Sequence, residues 1–283
     1  MLSKTRNIAV CLGLLIVSTH LFSQQTKVAP KSADSIKHSI LLIPVKPTMI
    51  MSEIGKAVNT TTKLSYPKIA QAFRYSLDLA LYNTLKQTYN VKSLIQTKKK
   101  SDSTLLYIYN SIGYNYDIIP GHDSGESHSE FDPKQQKTHF IKNGQLQVPM
   151  DYTKRFMNTY VVNPKLLPKL NSVFGSDIIV FINELDIRNV ANTLTEDLTA
   201  SNFRREIMVQ YTILNAQKQY LAKGVLTTYF PHNMNDPKII GEKYFAIIAA
   251  DMSKELAKGL AKAQAFKDKP GAIHSPKKVT KKK

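Results

Sequence analysis

Two cations, Lys4 and Arg6, stand ahead of an apolar run from Ile8 to Val17, and Leu21-Phe22-Ser23 follow it with the residue types a signal peptidase reads. A run of about ten apolar residues is half of the roughly 20 that a membrane-spanning helix needs, so the pattern predicts a secretory signal peptide over residues 1–23. Residues 24–36 are polar without period and predict a flexible leader. The continuous apolar stretch from His38 to Val45, bounded by Pro44 and Pro47, fits a buried strand. From Pro67 onward, Ile69, Phe73, Leu77, Leu81 and Leu85 recur at every fourth position and predict a helix of about six turns with one face for a core. Val91–Ile95 predicts a short strand, and Ser103–Ile112 a short element either helical or extended.

Residues 120–147 change character, with Gly121, Gly125, Pro133 and Gly144 among carboxylates and histidines, and predict a long polar surface insertion. Pro164–Phe174 repeats Leu at 166, 167 and 170 and predicts a short helix closed by Gly175. Asp177–Ile182 is apolar on both faces and predicts a central strand. Two alternating runs, Phe203–Leu214 and Tyr220–Phe230, joined by the polar residues 215–219, predict an antiparallel hairpin. Asp236 before Pro237 is a cap followed by a first-turn proline, and Phe245, Ile248, Met252, Leu256 and Leu260 mark one face of a long helix. The order predicts an α/β (α+β-like) fold: a mixed sheet with an antiparallel C-terminal hairpin and two long helices packed on the same face. Residues 37–266 form a single domain in this reading, and 267–283 a Lys-rich disordered tail.

Composition changes the picture at two points. The only cysteine of the 283 residues is Cys11, inside the apolar run. Cleavage after Ser23 leaves a mature chain without disulfides or thiol chemistry, and a cysteine within rather than after the apolar region speaks against a lipid anchor. The formal charge is +18, with 39 Lys+Arg against 21 Asp+Glu. Lys4 and Arg6 lie in the export segment and the tail carries seven Lys against Asp268, which leaves about +10 on residues 24–266. In a cytosolic protein such a surplus would suggest nucleic acid. Export redirects it to an envelope protein or an anionic envelope polymer, with peripheral membrane contact compatible and no nucleic-acid partner expected. The surplus equally serves solubility alone.

The run Leu170-Asn171-Ser172-Val173-Phe174-Gly175-Ser176-Asp177-Ile178-Ile179-Val180, followed by a two-stranded ribbon and a terminal amphipathic helix, carries a resemblance. It resembles the periplasmic α/β domain of CsgG-type curli-secretion lipoproteins and of the lipoprotein activators of penicillin-binding proteins, over about residues 38–95 and 164–262. This chain has Asn183-Glu184 where that group usually has Gly, and Gln217-Lys218 where its hairpin usually carries Thr-Gly. It also lacks paired amphipathic pore hairpins. The resemblance therefore implies a non-enzymatic scaffold acting by contact, and it transfers no binding residue.

Candidate chemistry is sparse. The insertion holds His122, Asp123, Glu126, His128, Glu130, Asp132 and His139, but no spacing places two ligands on one helical face, so a solvated acidic loop is expected rather than a metal site. Tyr107, Tyr109, Tyr114 and Tyr116 alternate in two short runs and read either as a sugar-stacking surface or as the half-buried edge of a sheet. Arg205 falls on the apolar face of its predicted strand with residues 203, 207, 209, 211 and 213. Glu184 or Asp186 is its expected partner, with an anion-binding role as the alternative. Asp34-Ser35-Ile36 and Asp102-Ser103-Thr104 resemble the O-glycosylation acceptor of Bacteroidota envelopes. No nucleophile elbow, phosphate loop or zinc-protease helix occurs. These readings converge on an exported, periplasmic or secreted, non-enzymatic adaptor or assembly factor of the cell envelope, with no catalytic residue, cofactor or metal. Its rivals are an envelope hydrolase using the insertion and a glycan- or peptidoglycan-binding module using the tyrosines. Oligomeric state stays open.

Overall fold

The computed structural model describes residues 38–96, 101–119, 155–191 and 203–267. The predicted leader segments, the tail beyond Lys267 and the whole of the polar insertion at 120–147, with its histidines and carboxylates, lie outside the described residues. In chain order the elements are β1 (Ser39–Ile43), a 3-10 turn (Pro47–Met49), β2 (Ile50–Ser52), α1 (Gly55–Thr62), α2 (Tyr66–Leu85), β3 (Asn90–Ser93) and α3 (Ser101–Asn110). There follow β4 (Ile112–Ile118), β5 (Arg155–Val161), α4 (Leu166–Phe174), β6 (Ile178–Ala191), β7 (Phe203–Asn215), β8 (Tyr220–Pro231), α5 (Pro237–Ile240), a π turn (Gly241–Phe245) and α6 (Ala246–Lys267).

The main sheet runs β3-β1-β6-β7-β8, with β2 continuing the line of β1 along β6. β1 is parallel to both β3 and β6, and β2 is parallel to β6. β7 and β8 complete the sheet antiparallel. The predicted mixed α/β architecture is what forms. Residues 178–182 are buried on both sides, as their unbroken apolarity requires of a strand covered on both faces. On one face, Ile40, Leu42, Ile178, Val180, Val209 and Ile213 meet the predicted apolar stripes of α2 and α6, so the two long helices do share a face. Phe73 and Phe245 join them edge to face, with ring centroids 6.3 Å apart. On the other, Leu41, Ile43, Ile179 and Phe181 meet α3 and α4 through Leu105, Ile108, Leu166, Leu167 and Leu170.

Local signals account for several ends. Gly175 closes α4 at φ 61°, its N–H reaching Asn171 O at 2.6 Å, in the left-handed region where a Cβ is strained. Asp236 caps α5 by accepting from the Lys238 amide at 2.8 Å. Asn215 Oδ1 accepts from the amides of Gln217 and Gln219 and so shapes the hairpin turn. Asp177 joins two strand starts: Oδ1 takes the Ser39 amide at 2.7 Å and Oδ2 lies 2.5 Å from His38 Nδ1.

Three features depart from the sequence reading. The 103–112 segment, left open as helix or strand, is mostly the helix α3. The structure adds β2 and α1, and it adds a second sheet, the antiparallel ribbon β4-β5 that brackets the insertion. β5 stands with its unpaired edge against the second face of the main sheet. Its outward amides, those of Met157 and Thr159, donate to Gln210 Oε1 and, at 3.0 Å, to Thr212 Oγ1. Its outward carbonyls take Asn183 Nδ2 at 2.7 Å on Met157 and the Tyr220 hydroxyl at 3.2 Å on Thr159. Every second residue of an antiparallel edge strand leaves both backbone groups unpaired, and here polar side chains from β6, β7 and β8 take the place of a neighbouring strand. Beside Asn183 the β6/β7 register shifts between Ile182 and Glu184.

Candidate functional site on the outer side of α2

With Ile69, Phe73, Leu77, Leu81 and Leu85 committed to the core, α2 turns its remaining faces outward. Ala72, Ser76 and Ala80 recur every fourth residue, and these small side chains face the segment running from Asp236 through the π turn into α6. Ser76 packs directly on Gly241, and beside that contact lies a groove of about 660 Å³ whose apolar lining is Leu64, Ala72, Tyr75, Leu79, Ala80 and Pro237, with Asn83, Thr84, Asp236, Lys238 and Glu242 among its polar residues. A second depression of about 440 Å³ shares Leu64, Ala72 and Tyr75 and adds Lys68, Gln71, Arg74 and Ile95. The two adjoin where Ala72 offers only a methyl group. Volumes of this size and an apolar lining are typical of ligand-binding concavities.

Behind the second depression lies a polar cluster at the carboxyl ends of β1 and β3. Here the chain leaves β1 toward α1 and α2 on one face of the sheet, and leaves β3 toward α3 on the other. That divergence opens a crevice beyond the strand ends in α/β sheets. Arg74 Nε donates to Val45 O at 2.7 Å and Nη2 to the Tyr109 hydroxyl at 3.1 Å, which itself donates to Pro44 O at 2.8 Å. Asp78 is buried beside it, its Oδ2 accepting from Ser93 Oγ at 2.5 Å and Gln96 Nε2 at 3.5 Å, while Oδ1 has no partner among the described residues. Burial pushes the Asp78 carboxyl up to about 6, against the opposing pull of the Ser93 and Gln96 hydrogen bonds and the Arg74 charge.

A pH dependence follows. A carboxyl whose folded value lies above its unfolded value of 3.8 stabilises the fold below that value, and the contribution is lost as pH rises through about 6. Between pH 4 and pH 7 the parent protein should lose roughly 3 kcal/mol relative to Asp78→Asn, which keeps an acceptor for Ser93 and carries no charge. Urea unfolding of both proteins across that range measures it, and parallel curves would refute a buried, strained Asp78.

The structure disperses the residues singled out from the sequence. Tyr107 and Tyr109 lie on α3, and Tyr114 and Tyr116 on β4. Tyr107 is half-buried, its hydroxyl accepting from Asn163 Nδ2 at 3.2 Å and its ring 3.9 Å from the Lys169 ammonium. Tyr109 is the buttress of Arg74 just described. Tyr114 packs on the α3–α4 core, and burial, with Tyr109 nearby, pushes its hydroxyl up to about 12. Of the four only Tyr116 is exposed.

Arg205 lies on the predicted apolar face, but its expected partners are corrected. Glu184 pairs across the strands with Gln210 and Asp186 with Met208, whereas Arg205 pairs with Asn189, so strand alternation puts the carboxylates on the opposite face. Arg205 Nη1 instead donates to Met234 O at 2.6 Å and Asn235 Oδ1 at 2.8 Å. It thereby holds the loop that leads into the groove wall at Asp236, and burial pushes its pKa down. Glu184 takes Gln210 Nε2 at 3.1 Å, and Arg188 pairs with Glu206 at 2.6 Å. Among the described residues no group of three His, Cys, Asp or Glu side chains is placed to hold a metal ion, and no helix is long and apolar enough to cross a membrane.

No protein-family model matches the chain, and no curated protein matches it. Among solved structures, the lipoprotein GNA1162 from Neisseria meningitidis aligns at a TM-score of 0.28 and 12% identity, over 76% of this chain and 98% of that one. That protein is described as a lipoprotein, and neither as a curli-secretion protein nor as an activator of a penicillin-binding protein.

Proposed function

We propose that this is an exported, non-enzymatic adaptor or assembly factor of the bacterial cell envelope, and that it works by contact through the groove along α2. The observation that carries the reading is the character of that groove. Its floor is aliphatic, and the ionisable groups at its α5 end are engaged with one another: Asp236 caps α5, and Lys238 Nζ lies 3.9 Å from Glu242. General acid–base chemistry needs a titratable side chain free to exchange a proton with a substrate, and a contact surface does not. The predicted signal peptide and the basic surplus support an envelope destination. The proteins that the sequence resembles point the same way.

The test is made in intact cells. A photo-crosslinking residue in place of the exposed Asn83, on the groove rim, should yield a discrete adduct with an envelope component. The same residue in place of Lys92, exposed on β3, should not. The processed chain should begin at Gln24. Retention of Met1 on a cytoplasmic protein, or identical adduct patterns from positions 83 and 92, overturns the proposal.

A further inference from the structure

The groove differs at its two ends, and the difference bears on what occupies it. At the α5 end the lining carries the carboxylates Asp236 and Glu242 against the single cation Lys238. At the other end the lining contains two cations, Lys68 and Arg74, and no carboxylate. The nearest acid on the same helix, Asp78, turns its carboxyl to Ser93 and Gln96. Lys68 forms no ion pair among the described residues. Arg74 is held in place through Nε and Nη2, so its guanidinium is oriented before any ligand arrives, which lowers the ordering cost of binding. Between the ends run Leu64, Ala72, Leu79 and Ala80, with the Tyr75 ring alongside.

We propose that the joined depressions along α2 bind a long-chain carboxylate, with the alkyl chain in the groove toward the π turn and the carboxylate at Lys68 and Arg74. The inference rests on the contact reading above and names the ligand class for the same site. Complementarity is its basis: an aliphatic trough excludes water from a chain, and two cations at one end fix the chain's direction. Ala72 is the gate between the two parts, because any larger side chain there would separate head from tail.

The experiment measures binding of palmitate and of its methyl ester, which has the same chain without the charge, to the protein as processed in the cell, by calorimetry at low salt. Palmitate should bind, and the ester more weakly by about tenfold or more. Lys68→Glu, at an exposed position, should weaken palmitate by roughly tenfold and leave the ester unchanged. Ala72→Tyr should weaken both, and its circular dichroism and melting should match the parent. Equal binding of acid and ester, no binding of either, or indifference to Ala72→Tyr overturns the assignment. So does binding to phosphatidylglycerol vesicles without binding of monomeric palmitate. If palmitate fails while the Asn83 adduct with an envelope protein persists, the ligand class is wrong and the contact reading stands. If the Asn83 adduct is absent as well, both fall.

Discussion

Gly259→Ala should cost the protein roughly 3 kcal/mol of stability, although the same change in an ordinary helix gains about 1 kcal/mol. The reversal comes from where α6 lies. A Cβ at Gly259 would stand 2.2 Å from the backbone oxygen of Leu221 and 2.7 Å from its carbonyl carbon, at the start of β8. A clash with a flexible side chain is relieved by a rotamer change, whereas the Leu221 carbonyl is backbone and can give way only by moving the bulge at which Ile213 and Leu214 face Ala222 and Tyr220. Either α6 lifts from the sheet, exposing Met252 and Leu256, or the strand bends and its ladder weakens. Urea unfolding should show a lower midpoint with an unchanged slope. Lys258→Ala, one residue away and exposed, should stay within about 0.5 kcal/mol of the parent. A Gly259→Ala protein as stable as its parent would mean that α6 is not seated on β8 as described. The groove between α2 and the π turn would then need to be redrawn.

Asn183→Ala should be nearly as damaging, at roughly 3 kcal/mol, and its effect should be local in a way the first is not. Asn183 is buried and makes three hydrogen bonds: Nδ2 to Met157 O at 2.7 Å and to Thr212 Oγ1 at 2.9 Å, and Oδ1 from Thr159 Oγ1 at 2.6 Å. Truncation leaves the Met157 carbonyl and two hydroxyls short of partners in a site that water does not reach. The unpaired edge of β5 loses its support from β6, while the apolar core beneath α2 and α6 is untouched. Hydrogen exchange should therefore show lost protection at the Met157 and Thr159 amides with the amides of residues 179–181 still protected. Uniform loss across both groups would show instead that the ribbon and the sheet open as one unit, and the proposed role of Asn183 as a substitute for a neighbouring strand would fail.

Legibility divides along the range of the interaction. The helix α2 could be read from five apolar residues at fourth-position spacing, because 3.6 residues per turn brings them to one side whatever they later meet. The end of α4 was readable at Gly175, and the start of α5 at Asp236-Pro237, since caps are settled within a few residues. The hairpin β7-β8 followed from its period of two. β5 was not legible, because its segment, Arg155–Val161, buries Asn158 and Thr159 beside Phe156 and Met157. Its pattern makes sense only when Asn183, Gln210 and Thr212 are known to stand opposite. The partner of Arg205 was missed for a related reason. Glu184 and Asp186 are near in sequence, on the preceding strand β6, but which face they occupy depends on the register of β6 against β7. The groove left one trace, the recurrence of Ala72, Ser76 and Ala80 beside the core stripe, which by itself is also the pattern of a tightly packed helix pair.

The amino-acid order alone determined the elements with strong periodicity, the two-sided burial of β6 and the positive charge that any partner meets. Each of these is a property of a single segment or of the chain's sum, so no knowledge of neighbours is needed to derive it. Only the tertiary structure decided that β5 rests its edge on polar side chains, that Arg74 is braced by Tyr109 at the strand ends, and that an aliphatic trough ends at two cations. Those depend on residues tens of positions apart meeting within about 3 Å, and pairing at that range is set by the packing of whole elements.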